Sequence, residues 1–184
     1  MNDTVRGCNP ILVAGHVRRA QTIRDEKGFN PTSNANLDRK IMAVFVELRE
    51  LRQALRQANT EGVGPICDEI ADVAIYLMTM IGDLYAPSEW VSFLESRCKP
   101  SLNPYASPDE LTADVERHLE RAWRTWRSSY DVGISQAREE LRWAFVETCR
   151  LAAAIDVDLH QAVSDKMDFN ATRPPTHGGK HPDT

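Results

Sequence analysis

The chain has 184 residues, 42% of them hydrophobic and 27% charged, with a formal net charge of −5. That length suffices for one domain with a sizeable core, and a second domain is not required. The acidic balance supplies no global field for nucleic acid or an anionic membrane, no apolar run approaches the roughly 20 residues of a membrane span, and residues 1–15 lack a basic start followed by an apolar block.

Periodicity is helical nearly throughout and strand-like alternation is absent over any useful length, so an all-α protein is expected. Asn9 and Pro10 provide a cap and first turn for a helix carrying Ile11, Val13, Val17, Ala20 and Ile23, ended by Gly28. After the loop FNPTSNAN, a helix over about 37–57, the turn-rich NTEGVGP and a helix over about 66–84 form a hairpin. Pro87, Pro100, Pro104 and Pro108 argue against one long continuous helix in the stretch that follows. Ser107-Pro108-Asp109-Glu110 then opens a helix as a capping box with proline at the first position, running to about residue 130. Helices over about 135–155 and 158–170 precede a Pro- and Gly-rich tail over about 171–184. The whole reads as a single domain over 1–184, a bundle of about five helices in which competing apolar stripes favour self-association.

Two acidic pairs stand out on the hairpin: Glu47 and Glu50 within IMAVFVELRELRQAL, and Glu69 and Asp72 within ICDEIADVAIYLMTMI. Residues three apart on a helix project to nearly the same side, so each pair can offer oxygens to one ion. Val44, Leu48, Leu51 and Leu55 make the first apolar stripe, with Glu47 and Glu50 on one flank and Arg49, Arg52 and Arg56 on the other. Ile66, Ile70, Ala74, Leu77 and Ile81 make the second, with Glu69, Asp72 and Tyr76 beside it. Packing of the stripes brings the carboxylates to a seam where they repel unless a cation neutralises them. Oxygen-only ligands favour magnesium or manganese over zinc or copper, and carboxylate-bound magnesium keeps water positions open to a substrate's phosphates. Solvated helices carry acids at this spacing too; the position of both pairs on apolar borders favours the metal reading.

The series Lys40…Glu47-x-x-Glu50, then Asp68-Glu69-Ile70-Ala71-Asp72, resembles the ExxE…ExxD signature of MazG-like all-α nucleoside triphosphate pyrophosphohydrolases. Ile155-Asp156-Val157-Asp158-Leu159, Lys166-Met167-x-x-Asn170-x-Thr172-Arg173-Pro174 and His177-Gly178-Gly179-Lys180 are similar to the closing segment of bacterial and phage members. The resemblance spans roughly residues 27–85 and 150–180. It implies a helical bundle of that family's type and an enzyme that cleaves a nucleoside triphosphate between its α- and β-phosphates. It further implies Mg2+, with Mn2+ as a substitute, held by Glu47, Glu50, Glu69 and Asp72. A role in clearing unwanted nucleotides and assembly as a homodimer or homotetramer belong to the same implication. The chain departs from the simple pattern by an insertion over about 86–133. Glu140-Leu141-Arg142-Trp143-Ala144-Phe145-Val146 echoes Glu69–Ile75 with Trp143 in the place of Asp72, an echo so short that chance is favoured over a degenerate repeat.

Lys166 and Asn170, one turn apart, and the adjoining Arg173 are candidate phosphate ligands; the competing reading pairs Lys166 with Asp165 or Asp168 and makes Asn170 a helix cap. Tyr76 either touches substrate or fills the seam. For Lys40, two turns before Glu47, surface solvation is favoured over a phosphate contact. Phe29 and Asn30 could stack on and hydrogen-bond a base, and His177-Gly178-Gly179-Lys180 could close over phosphates. The five histidines show no metal-ligand spacing. Arg117 to Arg127 interleaves basic residues with Trp123 and Trp126 as nucleic-acid binders do, but Leu111, Val115, Leu119, Ala122 and Trp126 form an ordinary apolar stripe. Packing or an oligomer contact is favoured there over nucleic acid. Cys8, Cys67, Cys98 and Cys149 lie far apart with no CxxC and read as reduced thiols, which places the chain in the cytoplasm. Beside the pyrophosphohydrolase stand a noncatalytic helical binding or assembly module and a carboxylate-bridged redox bundle; the latter commonly needs Glu-x-x-His on two helices, which the sequence lacks.

Overall fold

The computed structural model describes residues 9–33, 35–97, 106–128 and 132–174, and among them the only regular elements are seven α-helices. They are α1 (Pro10–Glu26), α2 (Leu37–Glu61), α3 (Gly64–Leu84), α4 (Pro87–Arg97), α5 (Pro108–Ser128), α6 (Val132–Ala154) and α7 (Leu159–Thr172). None of them is long and apolar enough to cross a membrane.

Local chemistry sets the ends. Asn9 Oδ1 accepts from the Ile11 and Leu12 amides at 3.0 and 3.4 Å, and α1 closes with the Phe29 amide donating to the Arg24 carbonyl over Gly28, whose φ of +74° suits glycine. The Ser107–Glu110 capping box forms in both directions, Ser107 N–H to Glu110 Oε2 at 2.7 Å and Glu110 N–H to Ser107 Oγ at 3.3 Å. Helix α2 runs to Glu61, past the expected stop near 57, because Asn59 and Thr60 only weakly disfavour helix while Gly62, at φ +78°, ends it. The proline-bearing stretch after α3 begins with a helix, α4, that periodicity alone did not resolve. Pro87 occupies its first turn, where proline is tolerated, and Glu89 accepts from the Ala86 amide at 3.1 Å.

The hairpin α2–α3 packs on the hairpin α5–α6, giving a four-helix bundle, and α1 and α7 lie together along α3. Val44, Leu48 and Leu51 meet Ile70, Ala74, Leu77 and Ile81 in a continuous core, each side chain fully buried and worth about 1.5–3 kcal/mol for the larger ones. Arg52, expected on a polar flank, forms a forked ion pair with Glu116 that ties α2 to α5. Ile11, expected on the buried stripe of α1, is 80% exposed.

Shifted by 71 positions, the burial pattern of the first hairpin recurs in the second: Val44, Leu48 and Leu51 fall on Val115, Leu119 and Ala122, and Ile66, Ile70, Ala74 and Ile81 on Ala137, Leu141, Phe145 and Ala152, all buried. The echo in the sequence therefore extends across both helices of each hairpin. Of the two alternatives expected for the α5 stripe, packing or an oligomer contact, the fold takes the first: Leu111, Val115, Leu119 and Ala122 are buried within the chain, with Trp123 and Trp126 half-buried against the core.

Candidate functional site

Helices α1, α2, α3 and α7 and the loop after α1 enclose a cavity of about 460 Å³. One wall carries the acids. Single carboxylate oxygens of Glu47, Glu50 and Glu69 lie within 4.8 Å of one another, an arrangement the i, i+3 spacings on two antiparallel helices produce once their stripes pack. Glu47 is buried, Glu69 half-buried and Glu50 exposed. Glu69 Oε2 is buried with no hydrogen-bond partner. Burial first, then the charges of Asp72 and Glu50, hold its carboxyl above the ordinary range. A dry carboxylate crowded by others and lacking a donor fits a hard cation, which would satisfy the oxygens and cancel the repulsion together.

Asp72 lines the same cavity but stands apart from this trio, because Lys166 Nζ of α7 lies 2.7 Å from its Oδ2, with Asp68 Oδ1 further off at 3.9 Å. Burial would lower the Lys166 ammonium pKa, but the hydrogen bond and charge of Asp72 outweigh it, and the net shift is upward. The competing partners are taken: Asp165 accepts from Gln161 at 2.7 Å and Asp168 pairs with Arg19. Asn170 and Arg173 also line the cavity, Arg173 with its guanidinium 5.2 Å from the Phe169 ring and its Nε buried without a partner. Lys27 Nζ donates to the carbonyls of Ala171 and Arg173, pinning the end of α7 to α1. Tyr76 lines the cavity between the acids and its far end. Burial first, then Glu47, Asp72 and Glu50, push its hydroxyl up to about 12, so it is a neutral donor at physiological pH.

Lys40 corrects an expectation: it is 7% exposed rather than solvated, and lines the cavity together with Phe29 and Thr32 of the segment after α1. Phe29 lines the cavity whereas its neighbour Asn30 does not. His177, Gly178, Gly179 and Lys180 lie outside the described residues, as do Cys8 and Cys98; Cys67 and Cys149 are free thiols, half-buried and buried. Thr32, 5% exposed, and the Arg24–Asp83 ion pair that fixes the loop after α1 are parts of the site that no sequence motif marked.

At the shifted positions of the second hairpin, the cluster is dismantled. His118, Arg121, Glu140 and Trp143 stand where Glu47, Glu50, Glu69 and Asp72 stand in the first. His118 Nδ1 meets Glu140 Oε2 at 2.6 Å, and Trp143 stacks on His118 and takes Phe93 of α4 edge-on at 5.6 Å. A shallow depression of about 580 Å³ beside them is lined by Arg121, Arg124, Glu139 and Glu140. Three of those four are already paired within the chain, Arg124 with Glu120, Glu139 with Arg142 and Glu140 with His118, and among the described residues the carboxylate group that could hold a metal ion lies on the first hairpin. No family model, curated protein or solved structure matches this chain.

Proposed function

We propose that the chain is a magnesium-dependent nucleoside triphosphate pyrophosphohydrolase of the MazG-like type. The observation that carries this reading is the convergence in one cavity of a carboxylate trio with an orphaned oxygen and of the cations Lys40, Lys166 and Arg173 from two other directions. A crowded carboxylate wall with an unsatisfied oxygen on Glu69, beside cationic side chains lining the same cavity, suits a metal-bound polyphosphate, whereas a noncatalytic packing module has no use for the unsatisfied carboxylate.

Glu47, Glu50 and Glu69 would hold Mg2+, or Mn2+ in its place, with Asp72 completing the acidic wall. When bound, the metal supplies charge neutralisation for the phosphates and acidifies a coordinated water. Lys166 can exchange its Asp72 partner for phosphate oxygens, a swap between two charge-assisted contacts that frees Asp72 as the polyanion arrives. Tyr76 donates a neutral hydroxyl hydrogen bond, and Asn170 and Arg173 bind the β- and γ-phosphates. Water attacks the α-phosphorus, its proton passes to a carboxylate of the cluster, and the bond to the bridging oxygen breaks to release pyrophosphate. Removal of unwanted nucleotides in the cytoplasm fits this chemistry. The expected homodimer or homotetramer would use a face other than the α5 stripe; Met42 and Val46, one turn apart on α2 and 51% and 44% exposed, mark one. Sedimentation equilibrium tests that assembly.

The test of the reaction is phosphate release coupled to added inorganic pyrophosphatase, with and without Mg2+. Loss of turnover by at least a hundredfold in Glu69→Gln is expected, on the scale of removing one preorganised electrostatic group. Near-normal magnesium-dependent turnover in both Glu69→Gln and Asp72→Asn would remove the proposal.

A further inference from the structure

Lys166 reaches into the acidic wall from α7. Its Nζ lies 2.7 Å from Asp72 Oδ2 and 3.9 Å from Asp68 Oδ1, carboxylates one turn apart on α3, and the Lys166 side chain is 13% exposed against 21% for Asp72 and 66% for Asp68. The ammonium therefore holds the more buried acid directly and the exposed one only through a solvent-screened attraction. The helix that carries it is fixed. Val163 and Met167 are buried in the core, Arg19 pairs with Asp168, and Lys27 Nζ donates to the carbonyls of Ala171 and Arg173. What can move is the flexible four-carbon stem of Lys166, not α7.

The Lys166–Asp72 contact places one resident positive charge where both ligands of the site make demands. A divalent ion on Glu47, Glu50 and Glu69 meets the ammonium beside it, and Asp72 adds its charge to the ion's neutralisation only when the ammonium lets it go. A polyphosphate arriving alone draws Lys166 across and leaves Asp72 beside Glu69 without its countercharge. Each ligand alone breaks the ion pair and replaces only one half of it. The two together break it once and satisfy both halves, since the metal meets Asp72 and the phosphates meet Lys166. A cost shared between two ligands is a positive coupling, and it acts equally in both directions.

Resting on the pyrophosphohydrolase reading for the identity of the two ligands, we propose that the Lys166–Asp72 ion pair is a lock that couples them: Lys166 supplies the wall's countercharge before either ligand binds, and the species the site accepts is the magnesium–triphosphate complex, neither half of which binds well by itself. Lys166 thus does more than contact phosphate. It keeps free divalent cations from a cavity lined by four carboxylates, and its attachment to Asp72 keeps metal-free nucleotide out by the same means.

The experiment uses the full chain and reads the binding of each ligand alone. Mn2+ affinity is measured by electron paramagnetic resonance without nucleotide, and affinity for the α,β-imido analogues of dATP, dCTP, dGTP and dUTP by calorimetry in EDTA, beside turnover of the parent nucleotides with Mg2+. Lys166→Met should bind Mn2+ roughly tenfold more tightly than wild type, and Asp72→Asn should bind the tightest of the analogues roughly tenfold more tightly, the scale of one charge-assisted hydrogen bond. Lys166→Gln gives the same reading should methionine disturb the fold. In the Asp72→Asn background, Lys166→Met should shift Mn2+ affinity by less than about threefold, which separates the ion pair from the mere charge of the ammonium. Unchanged or weakened single-ligand binding in either variant, or a full tenfold effect of Lys166→Met in the Asp72→Asn background, overturns the proposal, and continued hydrolysis by wild type then leaves the reaction intact. The expected affinities without turnover of any parent nucleotide overturn the hydrolysis reading and leave this one standing. Binding of neither Mn2+ nor any analogue overturns both.

Discussion

Replacing Glu69 by glutamine should stabilise the metal-free protein while abolishing its chemistry. The Glu69 carboxyl has its pKa raised, by burial and then by Asp72 and Glu50. A raised carboxyl binds more protons folded than unfolded, so its stabilisation is present below the ordinary value of 4.5 and is lost as pH rises through the folded value. At neutral pH the ionised group is therefore a net cost. Two unit charges 4.8 Å apart, the outer limit for Glu50 and Glu69, repel by about 3.5 kcal/mol at an effective dielectric of 20, a figure that solvent screening at Glu50 reduces. Asp72 adds to the repulsion and Lys166 offsets part of it. A net gain of about 1–2 kcal/mol remains for Glu69→Gln, roughly 3–6 °C in Tm for a domain of this size. Differential scanning fluorimetry with EDTA at about pH 7.5 reads the gain directly, and it should shrink as pH falls towards 4.5. Added Mg2+ should reverse the order: wild type gains about 2.7 kcal/mol at a hundredfold excess over Kd, and the amide variant gains far less. A Tm in EDTA equal to or below that of wild type, or identical magnesium shifts in both proteins, would refute the reasoning.

Asp83→Ala leaves Arg24 with only its exposed partner Asp25, removes the acceptor of Gln21 and of the Thr32 amide and frees the loop that carries Thr32, so a loss of about 1–3 kcal/mol in urea-denaturation stability is expected. Gly82→Ala places a methyl 2.4 Å from Val17 Cγ1, forcing α1 off α3; about 1–3 kcal/mol should be lost. His16 and His160 stack with centroids 5.4 Å apart, each held below 6.5 chiefly by burial and, for His16, also by the charges of His160 and Arg19. The unfolded chain therefore takes up these protons first, so stability is full above about pH 6.5 and falls as pH drops below it. His160→Phe should flatten that slope in urea midpoints measured between about pH 7.5 and 5.5. Arg173→Ala should raise KM several-fold with a smaller effect on kcat, as expected for a group that binds phosphate in ground and transition states alike; unchanged steady-state parameters would assign Arg173 to the packing against Phe169 alone.

The helices were legible because their information is local. Apolar periodicity, the Ser107–Glu110 box and the Asn9-Pro10 start are read within a few residues of the chain, and the structure forms each of them. The meeting of Glu47, Glu50 and Glu69 was legible for a related reason, since a short connection forces α2 and α3 to be antiparallel neighbours and the acids flank the stripes that must then pack. What α1 and α7 add was not legible. The partner of Lys166 is Asp72, 94 positions away in the chain, not the acids beside it in sequence. Lys40 reads as a surface residue in the sequence, yet it is buried where α2 borders a cavity that α1, α3 and α7 also line. The second hairpin shows the same limit: a seven-residue echo is uninformative by itself, and the burial of both helices at matched positions is what extends it.

The central claim is tested most directly by 31P NMR of the products formed from a deoxynucleoside triphosphate by wild type and Glu69→Gln, each with Mg2+ and with EDTA. The account predicts nucleoside monophosphate and pyrophosphate in equal amounts from wild type with Mg2+, and no turnover above background in the other three samples. Nucleoside diphosphate with orthophosphate as products, equal turnover in EDTA, or an active Glu69→Gln protein would contradict it.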